Sequence, residues 1–269
     1  MGKDWRLILD PKRNGYYNMA VDEAILLHYS CHGSPTIRIY GWDEPFISLG
    51  YHQLTSQVLV SLPSIPFVRR ITGGSAILHD EEITYSLVCS LSDLKLNSNV
   101  KESYKELTSF LKRFYSHLGF EVNYAIDTGF SDLGHYGNFC YSRWQHYDFV
   151  LNGKKIGGNA QRRKKEIIFQ HGSIPQDINF HLIKNTIKET EPIKERTTSL
   201  NKVLERKTDF LELQSLLALS FKEHFNLNLK IQELSAPEQE TVRCLLENKY
   251  KKENWNLGDE KTCLAQQKS

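Results

Sequence analysis

Arg69-Arg70-Ile71-Thr72-Gly73-Gly74-Ser75-Ala76-Ile77-Leu78-His79-Asp80 sets two guanidinium groups, a glycine pair, two hydroxyls and a His-Asp step between two β-rich runs. Upstream stands Ile65-Pro66-Phe67-Val68, and downstream Ile83-Thr84-Tyr85-Ser86-Leu87-Val88. Adjacent glycines let a backbone take φ > 0 and approach a ligand with no Cβ in the way. Arginines beside such a turn offer fork-shaped donors for carboxylate or phosphate. The same residues also suit an ordinary hairpin turn with solvated charges. The choice between anion cradle and turn falls to the rest of the chain.

The length of 269 residues allows one large domain or two modest ones. Hydrophobic content of 40% with 25% charged residues is that of a soluble globular protein. No apolar run approaches the roughly 18 residues that span a bilayer. The opening Met-Gly-Lys-Asp-Trp-Arg has no signal-peptide character, so a cytoplasmic location is expected. A net charge of +2 gives no general nucleic-acid footprint. Basic residues do gather at Lys154-Lys155 and Arg162-Arg163-Lys164-Lys165, as a solvated face or a dock for an acidic partner. Cys31, Cys89, Cys140, Cys244 and Cys263 are odd in number and form no C-x-x-C pair. They argue against a disulfide framework and against a thiolate zinc site, which leaves small buried hydrophobes and room for one nucleophile.

Residues 5–9 read as a first strand, and 18–28 as a helix with Asn18 as N-cap and Ala20, Ala24 and Leu27 on one face. Residues 36–40 and 46–49 read as strands punctuated by Gly41, Pro45 and Gly50. The repeat of Tyr104, Leu107, Leu111, Phe114, Tyr115 and Leu118 predicts a helix over 102–118, ended by Gly119. Strands are expected at 120–125, 144–151, 154–158 and 167–174, with Asn152-Gly153 as a type I′ hairpin turn. Beyond Pro175 helices dominate, near 178–188, 208–224 and 237–248. Strands first and helices last predict one α+β domain over 1–269, with a mostly helical subregion from about 176.

Residues 138–161 carry the second constellation. Cys140 ends an irregular loop, where basic neighbours can favour a thiolate; it can equally be inert. Lys155 follows the hairpin turn and precedes Gly157-Gly158, a second place for close backbone approach. A lysine fixed by a strand can bind a carbonyl or phosphate, or move a proton if desolvation lowers its pKa; it can also be plainly solvated.

Taken together these segments resemble the lipoate–protein ligase, octanoyltransferase and biotin–protein ligase superfamily. Trp5-Arg6 with Tyr17-Asn-Met-Ala-Val-Asp-Glu-Ala24 is similar to its first strand and helix, and Arg38-Ile-Tyr-Gly-Trp42 with Ser48-Leu-Gly-Tyr-His-Gln53 to its acyl-pocket strands. Arg69-Arg70-x-Thr72-Gly73-Gly74-x-Ala76-x-x-His79-Asp80 resembles its signature, and Gly153-Lys-Lys155-x-x-Gly-x-Ala160-Gln161 its lysine motif. Asn248-Lys-Tyr250 and Trp255-Asn-Leu-Gly258 are similar to the C-terminal edge of its catalytic domain. The resemblance implies mixed β-sheets flanked by helices, like class II aminoacyl-tRNA synthetases and biotin ligases.

The branches differ in how the acyl group is activated: ligases use ATP, transferases hold it on a cysteine. Cys140 lies fifteen residues before Lys155, the order of the cysteine-dependent octanoyltransferases. Ser75 stands where ligases usually have a third glycine. The resemblance therefore implies an octanoyl group moved from acyl-carrier protein through a Cys140 thioester to a lysine of a lipoyl domain, with Lys155 orienting the carbonyl and aiding proton transfer. Gly73 and Gly74 would offer an oxyanion hole, with His79 and Asp80 as organisers. Substrate contacts are expected from Arg69, Arg70, Thr72, Gly73, Gly74, Ser75, Ala76, Gly157, Gly158 and Ala160. An apolar slot is expected from Tyr40, Trp42, Leu49, Tyr51, Phe67, Val68 and Ile77. Implied partners are acyl-carrier protein and the lipoyl domains of 2-oxoacid dehydrogenases or the glycine-cleavage H protein, with no metal, nucleic acid or membrane. ATP and Mg enter only if the chain is a ligase. The same motifs would also suit a carrier-to-carrier amidotransferase or a non-catalytic lipoyl-domain binder.

Overall fold

Glu-Ile-Thr-Tyr-Ser-Leu-Val-Cys-Ser, residues 82–90, alternates polar and apolar side chains, and all but the last are buried. This strand lies inside a six-stranded sheet covered on both faces. The computed structural model describes residues 4–60, 63–130, 133, 137–142, 144–188 and 193–258. Cys263, the side chain of Cys31, parts of the 127–141 loop and the end of the expected helical subregion lie outside the described residues.

The strands are β1 (Asp4–Arg13), β2 (Thr36–Trp42), β3 (Phe46–Leu49), β4 (Phe67–Arg69), β5 (Ile77–His79), β6 (Glu82–Ser90), β7 (Asn123–Tyr124), β8 (Phe149–Leu151), β9 (Lys154–Lys155), β10 (Gly158–Lys164), β11 (Ile167–Pro175) and β12 (Asn228–Ile231). The large sheet has the order β10-β11-β6-β2-β1-β12. Its β1 pairs are parallel and the rest antiparallel, so the sheet is mixed. Period-two alternation sorts its side chains. Ile37, Ile39, Tyr85 and Leu87 pack one way against Phe110, Phe114 and Phe221 of the helices Phe110–His117 and Phe210–Phe225. Tyr40, Trp42 and Val88 pack the other way, with Met19, Ala20 and Ala24 of the helix Gly15–His32.

Several expectations are corrected. The first helix starts at Gly15, because Asn14 and not Asn18 caps it, its side chain accepting from the Tyr17 N–H at 3.0 Å. Asn18 is buried and ties Arg13 and Gly41 carbonyls to the helix. The 102–118 helix is two helices, Val100–Thr108 and Phe110–His117, broken at Ser109. Only Asn123 and Tyr124 of the expected 120–125 strand pair, and Ala125–Thr128 follows as a 3-10 turn. The hairpin turn stands as read: Asn152 and Gly153 have φ of 49° and 74°. The 162–165 basic run is the end of edge strand β10 and the turn after it, with Arg162, Lys164 and Lys165 exposed. The C-terminal part is not purely helical either, since β12 adds a parallel strand beside β1.

The segment opened by Arg69-Arg70 lies in a second sheet of order β4-β3-β5. β4 runs parallel to β3 and β5 antiparallel to it, on its opposite sides. Residues 70–76 therefore arch over the end of β3 and do not form a hairpin turn. The close approach dictates Gly50: a Cβ there would meet the Gly74 carbonyl oxygen at 1.8 Å.

Candidate active site

Arg70 organises the arch. Its Nε donates to Thr72 Oγ1 (3.1 Å), Nη1 to the Ser48 carbonyl (3.0 Å) and hydroxyl (3.3 Å), and Nη2 to the Gly73 and Ser75 carbonyls (both 2.8 Å). A guanidinium has five N–H donors, and all five are spent on the protein itself. Burial draws Arg70 down to about 10, with the nearby Cys140 raising and Arg69 lowering it, so it stays charged at neutral pH. Arg69 faces elsewhere. It donates to carbonyls of Gly50, Tyr51 and Gln53 and to those of Trp255, Asn256 and Leu257, fastening the C-terminal helix Glu253–Leu257 to the arch.

The arch in turn fixes Cys140. The Ala76 N–H donates to the Asn138 carbonyl (3.0 Å) and the Cys140 N–H to the Ala76 carbonyl (2.7 Å), two bonds that dock the cysteine segment on the signature. The sulfur lies over β10: a Cβ on Gly158 would come within 2.8 Å of it. Lys155 arrives from the hairpin. Its Nζ is 3.3 Å from Cys140 Sγ, 2.9 Å from the Cys140 carbonyl oxygen and 2.5 Å from Asp148 Oδ2. Burial is the largest influence on Lys155 and pulls it down, but Asp148 and Cys140 outweigh it and hold the ammonium above its ordinary range. The desolvated, lowered lysine considered from sequence does not fit this site, because the carboxylate neighbour reverses the direction.

A single cross-strand row floors the adjoining cavity. Gly158 pairs with Ser173, Ser173 with Thr84, and Thr84 with Tyr40, and all four line the cavity. Three inter-strand gaps make about 14 Å from β10 to β2. The Ser173 and Thr84 hydroxyls both turn to the Glu82 carboxylate. Tyr40 is locked by its hydroxyl on Asp22 (2.9 Å) and by Arg38 stacked 3.9 Å from its ring. Met19, Trp42, Ile77 and Phe139 supply apolar wall. His79 stacks on Trp42 and bridges Ser48 (2.7 Å) and Glu82 (2.8 Å). Thr72 lies beneath, 2.7 Å from His171 Nε2. Thr72 Oγ1 also accepts from Arg70, so one hydroxyl ties the arginine to the histidine. Burial, its largest influence, holds His171 below the usual histidine range.

The cavity thus joins Cys140, Lys155, Arg70, Gly74, Ser75, His79, Gly158, Ala160, Tyr40, Trp42 and Ile77 of the sequence candidates. Ala76 and Gly73 stand behind it as backbone supports. Gly157 packs its backbone against the Ser173 carbonyl with φ +115°, a conformation L side chains rarely take. Other expectations fail on position. Arg69 is a clamp on the C-terminal helix, and Asp80 lines a separate small pocket with Tyr141 and Asp177. Tyr51 packs near Trp255 and Arg162, while Leu49 and Val68 are core and Phe67 is packed against it. Sequence reasoning passed over Asp148, His171, Ser173 and Met19. The signal for His171 and Ser173 lay in Gln170-His-Gly-Ser173, a polar run inside an apolar strand that puts those two side chains on one face.

Among the described residues no helix is long and apolar enough to cross a membrane. The chain is 34% identical to a protein named octanoyltransferase LipM from Oceanobacillus iheyensis, over 94% of this chain and 97% of that one. It is 31% identical to the Bacillus subtilis protein of the same name, with the same coverage. Its fold superposes on a lipoate-protein ligase A bound with ATP, with TM-score 0.79, 20% identity and coverage of 96% and 99%. It also matches a bipartite lipoate protein ligase system with its E2 lipoyl domain from Thermoplasma acidophilum, with TM-score 0.77, 19% identity and coverage of 95% and 97%. Likeness at that identity concerns the fold. The lipoyl protein ligase A/B catalytic domain profile matches residues 14–222, and with relatives this similar over nearly their whole length the chain belongs to that family.

Proposed function

We propose that this chain is an octanoyltransferase that carries the acyl group on Cys140 and delivers it to a lysine of a lipoyl domain. The observation that carries the reading is the Cys140 sulfur, 3.3 Å from the Lys155 ammonium at one end of an apolar-walled cavity. A thiolate is both a good nucleophile and a good leaving group, so a thioester splits the transfer into two accessible steps. In the first, Cys140 Sγ attacks the octanoyl thioester of acyl-carrier protein, the carrier's C–S bond breaks, and Lys155 gives the departing thiolate its proton. In the second, the acceptor amine, having lost one proton to water, attacks the Cys140 thioester. Its remaining surplus proton returns to Lys155 as the Cys140 C–S bond breaks. The arched backbone at Gly74 and Ser75 borders the reacting carbonyl and is the candidate oxyanion site.

Chain length agrees with the floor. An extended eight-carbon chain measures about 9 Å by covalent geometry, within the roughly 14 Å of the cross-strand row ending at Tyr40. At about 0.8 kcal/mol per buried CH₂ it supplies several kcal/mol of binding. The donors of Arg70 and Arg69 are engaged by the protein's own oxygens, which favours a reaction without ATP or Mg over a ligase. The relatives' shared name is octanoyltransferase, and a lipoyl domain accompanies the Thermoplasma ligase. Acyl-carrier protein as donor, the lipoyl domains of 2-oxoacid dehydrogenases or the glycine-cleavage H protein as acceptors, and a cytoplasmic site of action complete the reading. Exposed Arg162, Lys164 and Lys165 at the β10 edge offer a basic dock for acidic carriers.

The test is to incubate the protein with octanoyl-acyl-carrier protein, without ATP, and weigh it. An octanoyl adduct that Cys140→Ser abolishes, and that an apo lipoyl domain discharges, supports the proposal. A protein that stays adduct-free and modifies the lipoyl domain only with ATP and free acid overturns it.

A further inference from the structure

We infer that Asp148 is a positioning residue of the transfer reaction: it holds Lys155 as an ammonium facing Cys140 and sets the stage of the cycle at which that proton leaves. The inference rests on the octanoyltransferase reading and adds a residue to it. Asp148 is held by backbone partners as well as by Lys155. Its Oδ2 accepts the Gln145 N–H at 2.7 Å, its own N–H donates to the Gln145 carbonyl at 3.1 Å, and its carbonyl accepts from Ala125 at 2.9 Å. The two-residue turn at Asn152-Gly153 then folds β9 back on β8, pairing Lys155 with Val150 and bringing Nζ to 2.5 Å from the carboxylate. Both side chains are buried, at 4% and 2% exposure, so each charge depends on the other.

Acceptors gather around the lysine nitrogen. Asp148 Oδ2, the Cys140 carbonyl oxygen and Cys140 Sγ all lie within hydrogen-bond range of Nζ. An ammonium has three N–H bonds to offer such partners, and the buried carboxylate favours that charged form. Acylation changes the sulfur among these partners, which becomes a neutral thioester. Lys155 then keeps the Asp148 carboxylate beside it, and its proton is released to the departing carrier thiolate. With no carboxylate at 148 the ammonium would lose its hold before acylation as well as after it. The groups facing this pair are Cys140, Arg70 beside the sulfur, and the phenols of Tyr104 and Tyr141, which burial raises well above their ordinary range.

The experiment measures the two half-reactions separately across pH, in the full chain carrying Asp148→Asn. The probes are octanoyl-acyl-carrier protein for acylation and an apo lipoyl domain for discharge of the isolated acyl-enzyme. A neighbouring opposite charge shifts a titration by about 1–3 units. The alkaline fall of acylation and the acid fall of discharge should both move toward lower pH, by about one unit or more. Asp148→Glu, which keeps the charge, should return both limbs close to wild type even at a lower rate. Rates that drop equally at every pH, with the limbs unmoved, overturn the inference and leave a merely structural aspartate. If Asp148→Asn does not fold, wild-type acylation decides: activity sustained to about pH 10 supports the held ammonium, and a fall centred below that refutes it. Wild-type protein that takes no acyl group at all overturns the transferase reading itself.

Discussion

Gly158→Ala perturbs the nucleophile while leaving the fold almost untouched. The backbone of Gly158 lies outside the left-handed region, so alanine is not strained there. In β10 it also restricts the unfolded chain, worth about 0.4–1 kcal/mol in favour of the variant. The new methyl would stand 2.8 Å from Cys140 Sγ, where ordinary contact is 3.4–4 Å. Cys140 cannot retreat as a unit, because its N–H is pinned to the Ala76 carbonyl at 2.7 Å. The sulfur must swing by about 1 Å, away from Lys155, and a misplacement of that size costs on the order of 10²-fold, or about 2.7 kcal/mol of barrier. The assay is the single-turnover rate of adduct formation on Cys140, followed by intact mass, beside a thermal melt. The expected result is a variant at least as stable as wild type and about a hundredfold slower. A Gly158→Ala protein that acylates at the wild-type rate refutes the placement of the sulfur over β10.

Two further outcomes follow from buried polar groups. Arg70→Lys keeps a positive charge but loses the fork that binds Ser48, Thr72, Gly73 and Ser75. Urea unfolding should show a loss of about 2–3 kcal/mol together with loss of transfer; unchanged stability with altered nucleotide binding would mean that Arg70 serves a ligand. His171 titrates below 6.5 in the folded protein and near it when unfolded, so below pH 6.5 the unfolded chain binds more protons. Stability should be full above that pH and decline beneath it, by up to about 1.4 kcal/mol per unit. His171→Gln should flatten this slope, and an unchanged slope would place its origin elsewhere.

Much of this was legible in the chain itself. The glycine pair, the Asn152-Gly153 turn and the Cys140-to-Lys155 order identified the site segments, because turn chemistry and motif spacing are local properties. Alternation in 83–88 gave the strand, yet its polar face reads in sequence as solvent. The structure covers that face with a second sheet and a helix, making Thr84 and Ser173 the floor of the acyl cavity. Asn18 misled for a similar reason: its partner Gly41 is remote in sequence.

The Arg69-Arg70 pair divides the two kinds of knowledge most clearly. Sequence by itself determined that two guanidinium groups stand beside a glycine turn, and with the neighbouring motifs which family fold contains them. Only the tertiary structure decided what those groups bind. Carbonyls gathered from β3, the 70–76 arch and residues 255–257 take up their donors. A guanidinium buried among its own chain's oxygens must satisfy every N–H there, and which oxygens come within 3 Å is settled by packing across nearly two hundred residues.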